Sequence, residues 1–376
     1  MRSMSWSAWA NAELATVRAA QRWRETVAFD GAGPRGTVHG RDVVSFASND
    51  YLGLSAHPQV RAAAIEAINT FGAGAGASRL VAGTRTLHLN LEDTLARWQH
   101  AERALVFPTG YAANLAVLSV FGADNVTIFS DELNHASIID GCRLSKARVD
   151  IYRHLDLDYL ATRMRAARGR KIVVSDSVFS MDGDVAPLTQ LAALCAQHGA
   201  LLVIDEAHAV LEPVLQWDQC DVLRVGTLSK ALGSQGGWVA GSRALIELLN
   251  NRARAFIFTT ALSPADTAAA LAALRIVMGD EGGVLRETLH QRIDILRPWH
   301  RSPILPLIIG ADQAALDAAA HLLAQGILVP AIRPPSVPIG TSRLRIALSA
   351  AHSIEMVEQL KEALVQLPCN LLAQKN

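Results

Sequence analysis

The chain of 376 residues is half apolar and carries 35 basic and 35 acidic side chains, which gives a formal net charge of zero. This length predicts two domains with enough apolar residues for a large core. The balanced charge argues against a protein that binds nucleic acid or an anionic membrane, because such binding depends on excess lysine and arginine.

The N-terminus and the cysteines predict a cytoplasmic protein. Residues 1–14 lack the continuous apolar segment of a signal peptide. The sequence contains no run of about 18 apolar residues, so no membrane span is predicted. The 4 cysteines are scattered and form no C-x-x-C pair, which is typical of reduced thiols and not of a disulfide framework or a zinc site.

Predicted helices and strands alternate along most of the chain. An amphipathic helix is predicted over 5–28, and helices over 60–71 and 85–100 flank a glycine-rich loop at 72–83. Short β-branched segments then alternate with helices or loops, and the predicted strands cover 125–131, 148–154, 171–176, 200–208 and 221–227. Buried parallel strands have this composition, so we expect an α/β sheet with helices on both faces.

The C-terminal part has a pattern of its own. An alanine-rich helix over 265–278 leads away from the predicted sheet, and helices over 312–325 and 354–367 alternate with short apolar segments. We therefore expect an N-terminal helical arm over 1–45, a large α/β domain over 46–279 and a small α+β domain over 280–376.

Polar side chains follow four of the predicted strands. Ligands of open α/β sheets bind beyond the carboxyl ends of the strands. A single aspartate there often only caps the next helix, but four such segments on one sheet edge favour a functional site. Its candidate residues are Asp131, His135, Asp176, Ser180, Asp205, His208, Thr227 and Lys230.

Three other kinds of site fit these residues less well. The glycine-rich segment 72–83 is not G-x-G-x-x-G and follows a predicted helix, so it is a weak dinucleotide motif. The tetrapeptide DEAH at 205–208 occurs in helicases, but the chain has no G-x-x-x-x-G-K-[ST] segment to bind a triphosphate. A metal site stays open as an alternative, although no C-x-x-C or H-E-x-x-H pair supports it and we predict none.

A pyridoxal phosphate site accounts for the whole set. This cofactor requires a lysine for covalent attachment and an acidic partner that keeps its pyridine nitrogen protonated. Lys230 and Asp205 follow neighbouring predicted strands and can approach the cofactor from opposite sides. His208 can reach the phenolic oxygen of the ring, and His135 can stack on its face.

The phosphate of such a cofactor would bind at the start of a helix, where backbone amides are available. Gly110 and Tyr111 open the predicted helix in PTGYAANLAVL at 108–118. Thr227 can add a hydroxyl group.

The motifs around these residues resemble those of the α-oxoamine synthases, a fold-type-I pyridoxal phosphate family. The resemblance extends from FASNDYLGLSAHP at 46–58 to LRIALSAAHS at 344–353. Between them lie SDELNHASIIDGCRLS at 130–145, VFSMDGDVAPL at 178–188, GTLSKALGSQGG at 226–237 and FIFTTALSPA at 256–265. The resemblance implies a pyridoxal phosphate-dependent transferase with a large, mainly parallel α/β/α domain and a small C-terminal α+β domain.

The resemblance also implies a role for each site residue. Lys230 would be the covalent lysine and the catalytic base, Asp205 the partner of the ring nitrogen, and His208 the partner of the phenolic oxygen. His135 would stack on the ring and Ser180 would be a further ring contact. The remaining roles are phosphate binding for Gly110, Tyr111 and Thr227, and substrate binding for Asn49 and Arg345, with Arg345 on the amino-acid carboxylate.

The resemblance implies a homodimer with shared active sites. Thr259 and Thr260 would reach across a two-fold interface to the phosphate of the partner's cofactor. The loop at 72–79 is expected at the same interface, since its glycines allow close backbone approach.

The segment 331–353 resembles most the branch that joins L-alanine to a pimeloyl thioester in biotin synthesis. Whether the acyl donor is a coenzyme A or a carrier-protein thioester stays open. One departure is that residues 205–225 are shorter than in the family and lack its G-T-G-x-x-G and G-R-G glycines, so acyl recognition is expected to differ. The alternatives are a 2-amino-3-oxobutyrate CoA ligase, a 5-aminolevulinate synthase, or a non-catalytic cofactor-binding protein.

Overall fold

The computed structural model of the protein describes residues 4–20, 22–216 and 219–368. Strands and helices are numbered here in chain order. The strands are β1 Asp30–Ala32, β2 Arg35–Val38, β3 Arg41–Ser45, β4 Arg103–Phe107, β5 Val126–Asp131, β6 Arg148–Tyr152, β7 Arg170–Asp176, β8 Leu201–Asp205, β9 Val222–Thr227, β10 Gly237–Gly241, β11 Ile304–Gly310, β12 Ile327–Leu328, β13 Ala331–Ile332 and β14 Ser342–Ala347.

The helices include a very short one, α9, directly after α8. They are α1 Trp6–Ala19, α2 Pro58–Phe71, α3 Thr86–Trp98, α4 Gly110–Phe121, α5 Ala136–Leu144, α6 Leu157–Ala166, α7 Leu188–His198, α8 Arg243–Arg252, α9 Arg254–Ile257, α10 Pro264–Met278, α11 Asp280–Leu296, α12 Asp312–Ala324 and α13 Ile354–Val365. No helix in the described ranges is both long and apolar enough to cross a membrane.

The chain clusters into two compact units. The large unit consists of residues 49–303 and 349–351, and the small unit of the described parts of 1–48, 304–348 and 352–376. These bounds differ from the expected domain limits at residues 280–303, which belong to the large unit because α11 packs on α10. The N-terminal segment also differs from the expectation of a separate arm, since it clusters with the C-terminal strands.

The large unit is built around a sheet with the strand order β4-β10-β9-β8-β7-β5-β6. Neighbouring strands are parallel from β9 to β6, whereas β10 runs antiparallel to both β4 and β9. The expected mainly parallel α/β sheet is therefore confirmed. The ends of β7 and β8 are aligned, because Asp176 pairs with Asp205 in the register.

Two apolar cores cover the opposite faces of this sheet. On β7, Ile172 and Val174 belong to the core formed with α4 and α5, whereas Val173 belongs to the core formed with α6 and α7. Successive side chains of a strand point to opposite faces. The sheet is thus covered on both faces, and polar groups are left at its carboxyl edge.

Strand β10 begins at the last glycine of the motif GTLSKALGSQGG at 226–237, and no strand was predicted there. Its residues are fully enclosed between β4 and β9. A Cβ atom at Gly237 would lie 2.4 Å from the backbone nitrogen of Gly110. Glycine is therefore required here because the two backbones approach closely. Since glycine is uncommon in strands, side-chain composition did not predict β10.

The first helix is shorter than the predicted span of 5–28, because α1 ends at Ala19. Arg333 donates a hydrogen bond to the carbonyl of Trp23, and Arg24 donates one to the carbonyl of Pro334. These long-range contacts hold the chain outside the helix. The prediction of a longer helix was wrong, since tertiary contacts override helical propensity.

The small unit contains two sheets, with strand orders β1-β2-β3-β12 and β11-β14-β13. Helix α12 packs on strands of both. His352 stacks on Phe46, with 4.3 Å between ring centroids, and its Nε2 lies 2.9 Å from the carbonyl oxygen of Ser45. The C-terminal strands and helices thus form an α+β unit, as expected.

Candidate active site

Asp205 ends β8 and is held at the carboxyl edge of the large sheet. Its Oδ2 accepts a hydrogen bond of 2.6 Å from Nδ2 of Asn114, and its Oδ1 accepts one of 2.9 Å from the backbone N–H of Ala207. The backbone N–H and hydroxyl of Ser177 both donate to the carbonyl of Asp205 at 2.8 Å. The carboxylate therefore has one defined orientation, with 6% of the residue exposed.

Asn114 was missed by reasoning from sequence. It lies one helical turn after Gly110 on α4 and also donates to the hydroxyl oxygen of Ser137 at 2.9 Å. Residues four apart share a helix face. The signal was present in GYAAN at 110–114, since the helix that begins at Gly110 presents its fourth following side chain to the same site.

His135 caps the N-terminus of α5, where its Nδ1 accepts a hydrogen bond of 3.2 Å from the backbone N–H of Ser137. The backbone N–H of His135 donates to Asp176 Oδ2 at 2.8 Å. Desolvation by the surrounding protein lowers the pKa of His135, while the charge of Asp205 opposes this shift and that of Lys230 adds to it. The imidazole therefore lies within electrostatic reach of both residues.

Asp176 is the second buried carboxyl group at this edge. Burial, and then the neighbouring charge of Asp205, raise the pKa of Asp176 well above its ordinary value, while the positive charge of Lys230 opposes this. Both effects favour the neutral form of Asp176.

Lys230 lies in a tight turn after β9. The turn is closed by hydrogen bonds from Gly233 N–H to the carbonyl of Lys230 and from Leu228 N–H to the carbonyl of Gly236, both 2.9 Å long. Gly233 has a φ of 57°, and a Cβ atom there would lie 2.2 Å from the backbone nitrogen of Ser55. The turn therefore requires glycine at position 233. It fixes the Cα atom from which the half-buried side chain of Lys230 extends.

His208 is positioned by a tyrosine that sequence reasoning also missed. Tyr51 is fully buried and lies 2.6 Å from Nδ1 of His208, and its hydroxyl donates to Asn49 Oδ1 at 3.0 Å. Asn49 and His208, which the sequence places far apart, are thus joined through Tyr51.

The predicted phosphate end of the site is formed by the start of α4 and the end of β9. Gly110 packs so closely on Thr227 that a Cβ atom at 110 would lie 2.6 Å from Cγ2 of Thr227. Within the described residues, the buried Oγ1 of Thr227 has no hydrogen-bond partner. Tyr111 is exposed, and its hydroxyl donates to Asp140 of α5, which raises the pKa of Tyr111.

The two threonines of FIFTTALSPA lie beside the glycine-rich loop. Thr260 forms an antiparallel bridge with Ser78, and the N–H of Ala261 donates to the carbonyl of Ala77 at 3.0 Å. The surface nearby exposes Val81 (80%) and Phe258 (70%). Exposed apolar side chains of this size are typical of an interface.

Two further predicted residues lie in the turn after β7 and in β14. Ser180 is in the turn closed by the bridge between Val178 and Val185 in the large unit. Arg345 lies in β14 of the small unit and is buried there.

His154 connects the end of β5 to the turn that carries Ser180. Its Nδ1 lies 2.9 Å from Asp131 Oδ1, its Nε2 contacts Asp184 Oδ2, and its ring packs edge-on against Phe179. Burial alone would lower the pKa of His154, but the hydrogen bonds to Asp131 and Asp184 outweigh it and raise the pKa to about 10. At neutral pH this histidine is thus a cation between two carboxylates.

This contact predicts a pH dependence of stability. The folded pKa of about 10 exceeds the ordinary 6.5, so the stabilisation is complete below pH 6.5 and is lost as the pH rises toward 10. The pair is partly exposed and screened by solvent, so we expect a loss of about 2 kcal/mol and not the full linkage value. Urea unfolding of wild type and His154→Gln across this range measures it, with His290→Gln as an exposed control. Equal pH slopes in wild type and His154→Gln would contradict the prediction.

The residues present fit pyridoxal phosphate. The free hydrogen-bonding capacity of the buried Thr227 Oγ1 lies beside the first amides of α4, which together suit a phosphate group. A fixed carboxylate at the end of β8 and a lysine in the turn after the neighbouring strand β9 suit the cationic ring and its covalent attachment.

Comparison with known proteins agrees with this chemistry. The model of the family aminotransferase class I and II matches residues 41–364. A curated 8-amino-7-oxononanoate synthase of Paraburkholderia xenovorans is 48% identical over 357 residues, which cover 88% of this chain and 90% of that protein.

Solved structures resemble the whole fold. A serine palmitoyltransferase with pyridoxal phosphate is 28% identical with a TM-score of 0.88, covering 96% of this chain and 97% of its own. An 8-amino-7-oxononanoate synthase from Francisella tularensis is 26% identical with a TM-score of 0.72, covering 85% of this chain and 96% of its own.

Proposed function

Because this chain belongs to the aminotransferase class I and II family and, within it, to the α-oxoamine synthases, we propose that it joins L-alanine to a pimeloyl thioester. The products are 8-amino-7-oxononanoate, carbon dioxide and the free thiol. The reaction is a step of biotin biosynthesis. The protein is thus a pyridoxal phosphate-dependent acyltransferase. The observation that carries the proposal is the fixed Asp205 carboxylate at the end of β8, with Lys230 in the turn that follows the neighbouring strand β9.

The cofactor-binding roles follow from the positions of the side chains. Pyridoxal phosphate, when bound, withdraws electron density from the α-carbon of the amino acid. Asp205 would keep a proton on the ring nitrogen, and Asn114 keeps that carboxylate in place. His135 would cover one face of the ring, and His208, held by Tyr51, would bond the phenolic oxygen.

The phosphate would be held by the amides of Gly110 and Tyr111 and by the hydroxyl of Thr227. In the described part of the chain, the buried hydroxyl oxygen of Thr227 has no hydrogen-bond partner, so it is available to the phosphate. Ser180 would contact the ring from its turn.

Lys230 acts as the base in this proposal. Its amine removes a proton from the α-carbon of alanine and later returns a proton to the product. The rigid turn that is closed by Gly233 keeps the amine at one place for both transfers. Asn49 and Arg345 bind the substrate, with the Arg345 guanidinium on the amino-acid carboxylate as a bidentate partner.

A product assay tests the function. The purified protein with pyridoxal phosphate receives alanine, glycine or serine in combination with pimeloyl-CoA, pimeloyl-carrier protein, acetyl-CoA, succinyl-CoA or palmitoyl-CoA. We expect carbon dioxide release and ketone product with alanine and a pimeloyl donor, and at least tenfold lower kcat/KM with the other combinations. Preference for serine, glycine or another acyl group would assign a different synthase of the family, and no turnover with any pair would favour a cofactor-binding protein.

We also propose that the active sites are shared within a homodimer. The proposal is supported by the bridge between Ser78 and Thr260, which joins the glycine-rich loop to the threonine pair beside exposed apolar side chains. Thr259 and Thr260 would then bind the phosphate of the cofactor in the partner, and the dimer has two-fold symmetry.

Subunit mixing tests the shared site. Lys230→Ala and Thr260→Val chains are mixed, and subunit exchange is confirmed before activity is measured. A heterodimer would collect both substitutions in one site and leave the other wild type, so activity is expected to rise toward half the wild-type value per dimer. If activity stays at the level of the two parents, Thr260 serves its own subunit or no site. Thr162→Val, at an exposed position of α6, is the control that should behave like wild type in the same mixture.

We propose a cytoplasmic location, supported by the scattered cysteines, which suit a reducing compartment. Cell fractionation with antibody detection tests it, and recovery in the periplasmic or membrane fraction would contradict it.

A further inference from the structure

A cavity of about 600 Å³ lies in the large unit against the segment that follows β8. That segment, residues 206–214, forms one wall. The opposite walls come from the end of α3, the end of α10 and the start of β10, which contribute Gln99, Met278 and Trp238 among others. Cavities that bind small molecules have volumes of about 300–1,000 Å³, so this one is large enough for a ligand.

The cavity exists because the connection between β8 and β9 is short. Neighbouring parallel strands require a crossover, which is usually a helix that covers the sheet. Within the described parts of 206–221 the connection contains no helix, so a loop alone covers this region. The sheet face beside Trp238 therefore keeps open space.

Ion pairs hold this loop in place. Glu206 pairs with Arg224 in the interior, and the same guanidinium donates to the carbonyl of Leu215. At the surface Glu212 pairs with Arg301 at 2.8 Å. The loop is thus attached at three points, and the cavity is a lasting feature of the fold.

Two residues that line the cavity, and have no role in the cofactor site, have a buried polar atom without a hydrogen-bond partner in the described ranges. These atoms are Gln99 Oε1 and Trp238 Nε1. Gln99 and Trp238 are only 3% and 2% exposed. Each such atom costs about 1–3 kcal/mol when nothing bonds to it. An occupant with an acceptor for the indole N–H would remove part of this cost.

The charges at the cavity favour an anion. Its two acidic residues, Glu206 and Glu212, are already paired with arginines. Arg97 donates to the hydroxyl of Thr94 and Arg286 to the carbonyl of Val277, both neutral acceptors. Two positive charges therefore remain for a ligand. The walls also supply apolar side chains, namely Leu52, Leu188, Leu211, Pro213, Val214 and Leu232.

We propose that this cavity binds a medium-chain aliphatic carboxylate. The carboxylate is recognised by Arg97, Arg286 and the indole N–H of Trp238, and the chain lies against the apolar wall formed by the loop. Ala207, Thr227 and Ala231 also line the cavity, and they are close neighbours in sequence of Asp205, His208 and Lys230. Occupancy is therefore expected to affect the cofactor site.

Direct binding tests the proposal without relying on turnover. Calorimetry on the protein loaded with pyridoxal phosphate uses octanoate, pimelate, butyrate and uncharged octan-1-ol as probes. We expect octanoate or pimelate to bind at least tenfold more tightly than butyrate and octanol. The double variant Arg97→Gln/Arg286→Gln should weaken this binding at least tenfold, while Arg61→Gln, an exposed arginine on α2, should leave it unchanged.

Two further variants separate this cavity from the active site. Trp238→Phe keeps the aromatic packing on Gly226 but removes the N–H, and Ala209→Phe places a ring in the cavity. Both should weaken octanoate at least threefold with unchanged thermal unfolding of the unliganded protein. If the melting temperature of one of these variants falls without ligand, its octanoate affinity is not used, and the affinity of the double arginine variant decides the test.

The proposal is overturned if neither acid binds, since the cavity then holds only water. It is also overturned if binding survives the double arginine variant. Failure of the proposed synthase activity in the product assay would leave these binding results unaffected.

Discussion

Lys230→Ala is expected to lower turnover by at least about a thousandfold, because general acid–base catalysis alone contributes about 10²–10⁴ and covalent attachment of the cofactor is lost as well. The side chain is carried on a turn whose hydrogen bonds involve backbone atoms, so the substitution should leave the fold intact. Steady-state and single-turnover assays with alanine and the pimeloyl donor measure the effect.

A chemical label provides a readout besides activity. Borohydride reduction of the loaded wild-type protein should link the cofactor to the peptide that contains Lys230, and the Lys230→Ala variant should lose this label. Lys146→Ala changes an exposed lysine and should retain both label and activity. A label on another peptide would refute the assignment of Lys230.

Asp205→Asn is expected to slow α-proton exchange by roughly 10²–10³, which corresponds to about 3 kcal/mol of barrier, as for other electrostatic partners. An amide has nearly the same shape, and its oxygen can still accept the hydrogen bond from Asn114. It cannot keep a proton on the ring nitrogen. The loss should therefore appear in deuterium exchange into alanine and in cofactor affinity.

Asp176→Asn is the matched control, since Asp176 pairs with Asp205 in the register of β7 and β8. Burial raises the pKa of Asp176, so a neutral amide replaces a group that favours its neutral form. The expected effect on exchange is below about tenfold. Similar losses in both variants would show that the edge needs two carboxylates and would contradict the special role of Asp205.

Much of the sheet and of the site was predictable from local patterns. The runs of β-branched residues located β5, β7, β8 and β9, with ends that differ by a few residues. The helix predicted over 60–71 is α2, which begins two residues earlier and ends at the predicted residue. Such patterns are informative because a strand that is buried on both faces must be apolar throughout, whatever its neighbours are.

The partners that orient the site residues were not predictable in this way. Tyr51 meets His208 across 157 positions of the chain, and Asn114 meets Asp205 across 91. Nothing in the local sequence distinguishes Tyr51 from any buried tyrosine, and the helix start at Gly110 indicates only the helix face on which Asn114 lies. His154, between Asp131 and Asp184, is a third example.

The sequence by itself determined the fold class, the cofactor chemistry and the residues at the strand ends, because periodicity and a few chemically demanding side chains are local properties. Only the tertiary structure decided where α1 ends, that the glycine-rich segment after Lys230 contains β10, that α11 joins the large unit, and that the short β8–β9 connection leaves a cavity. Each of these depends on contacts between distant segments. The free energy of such contacts is a property of the packed chain and not of any stretch of residues.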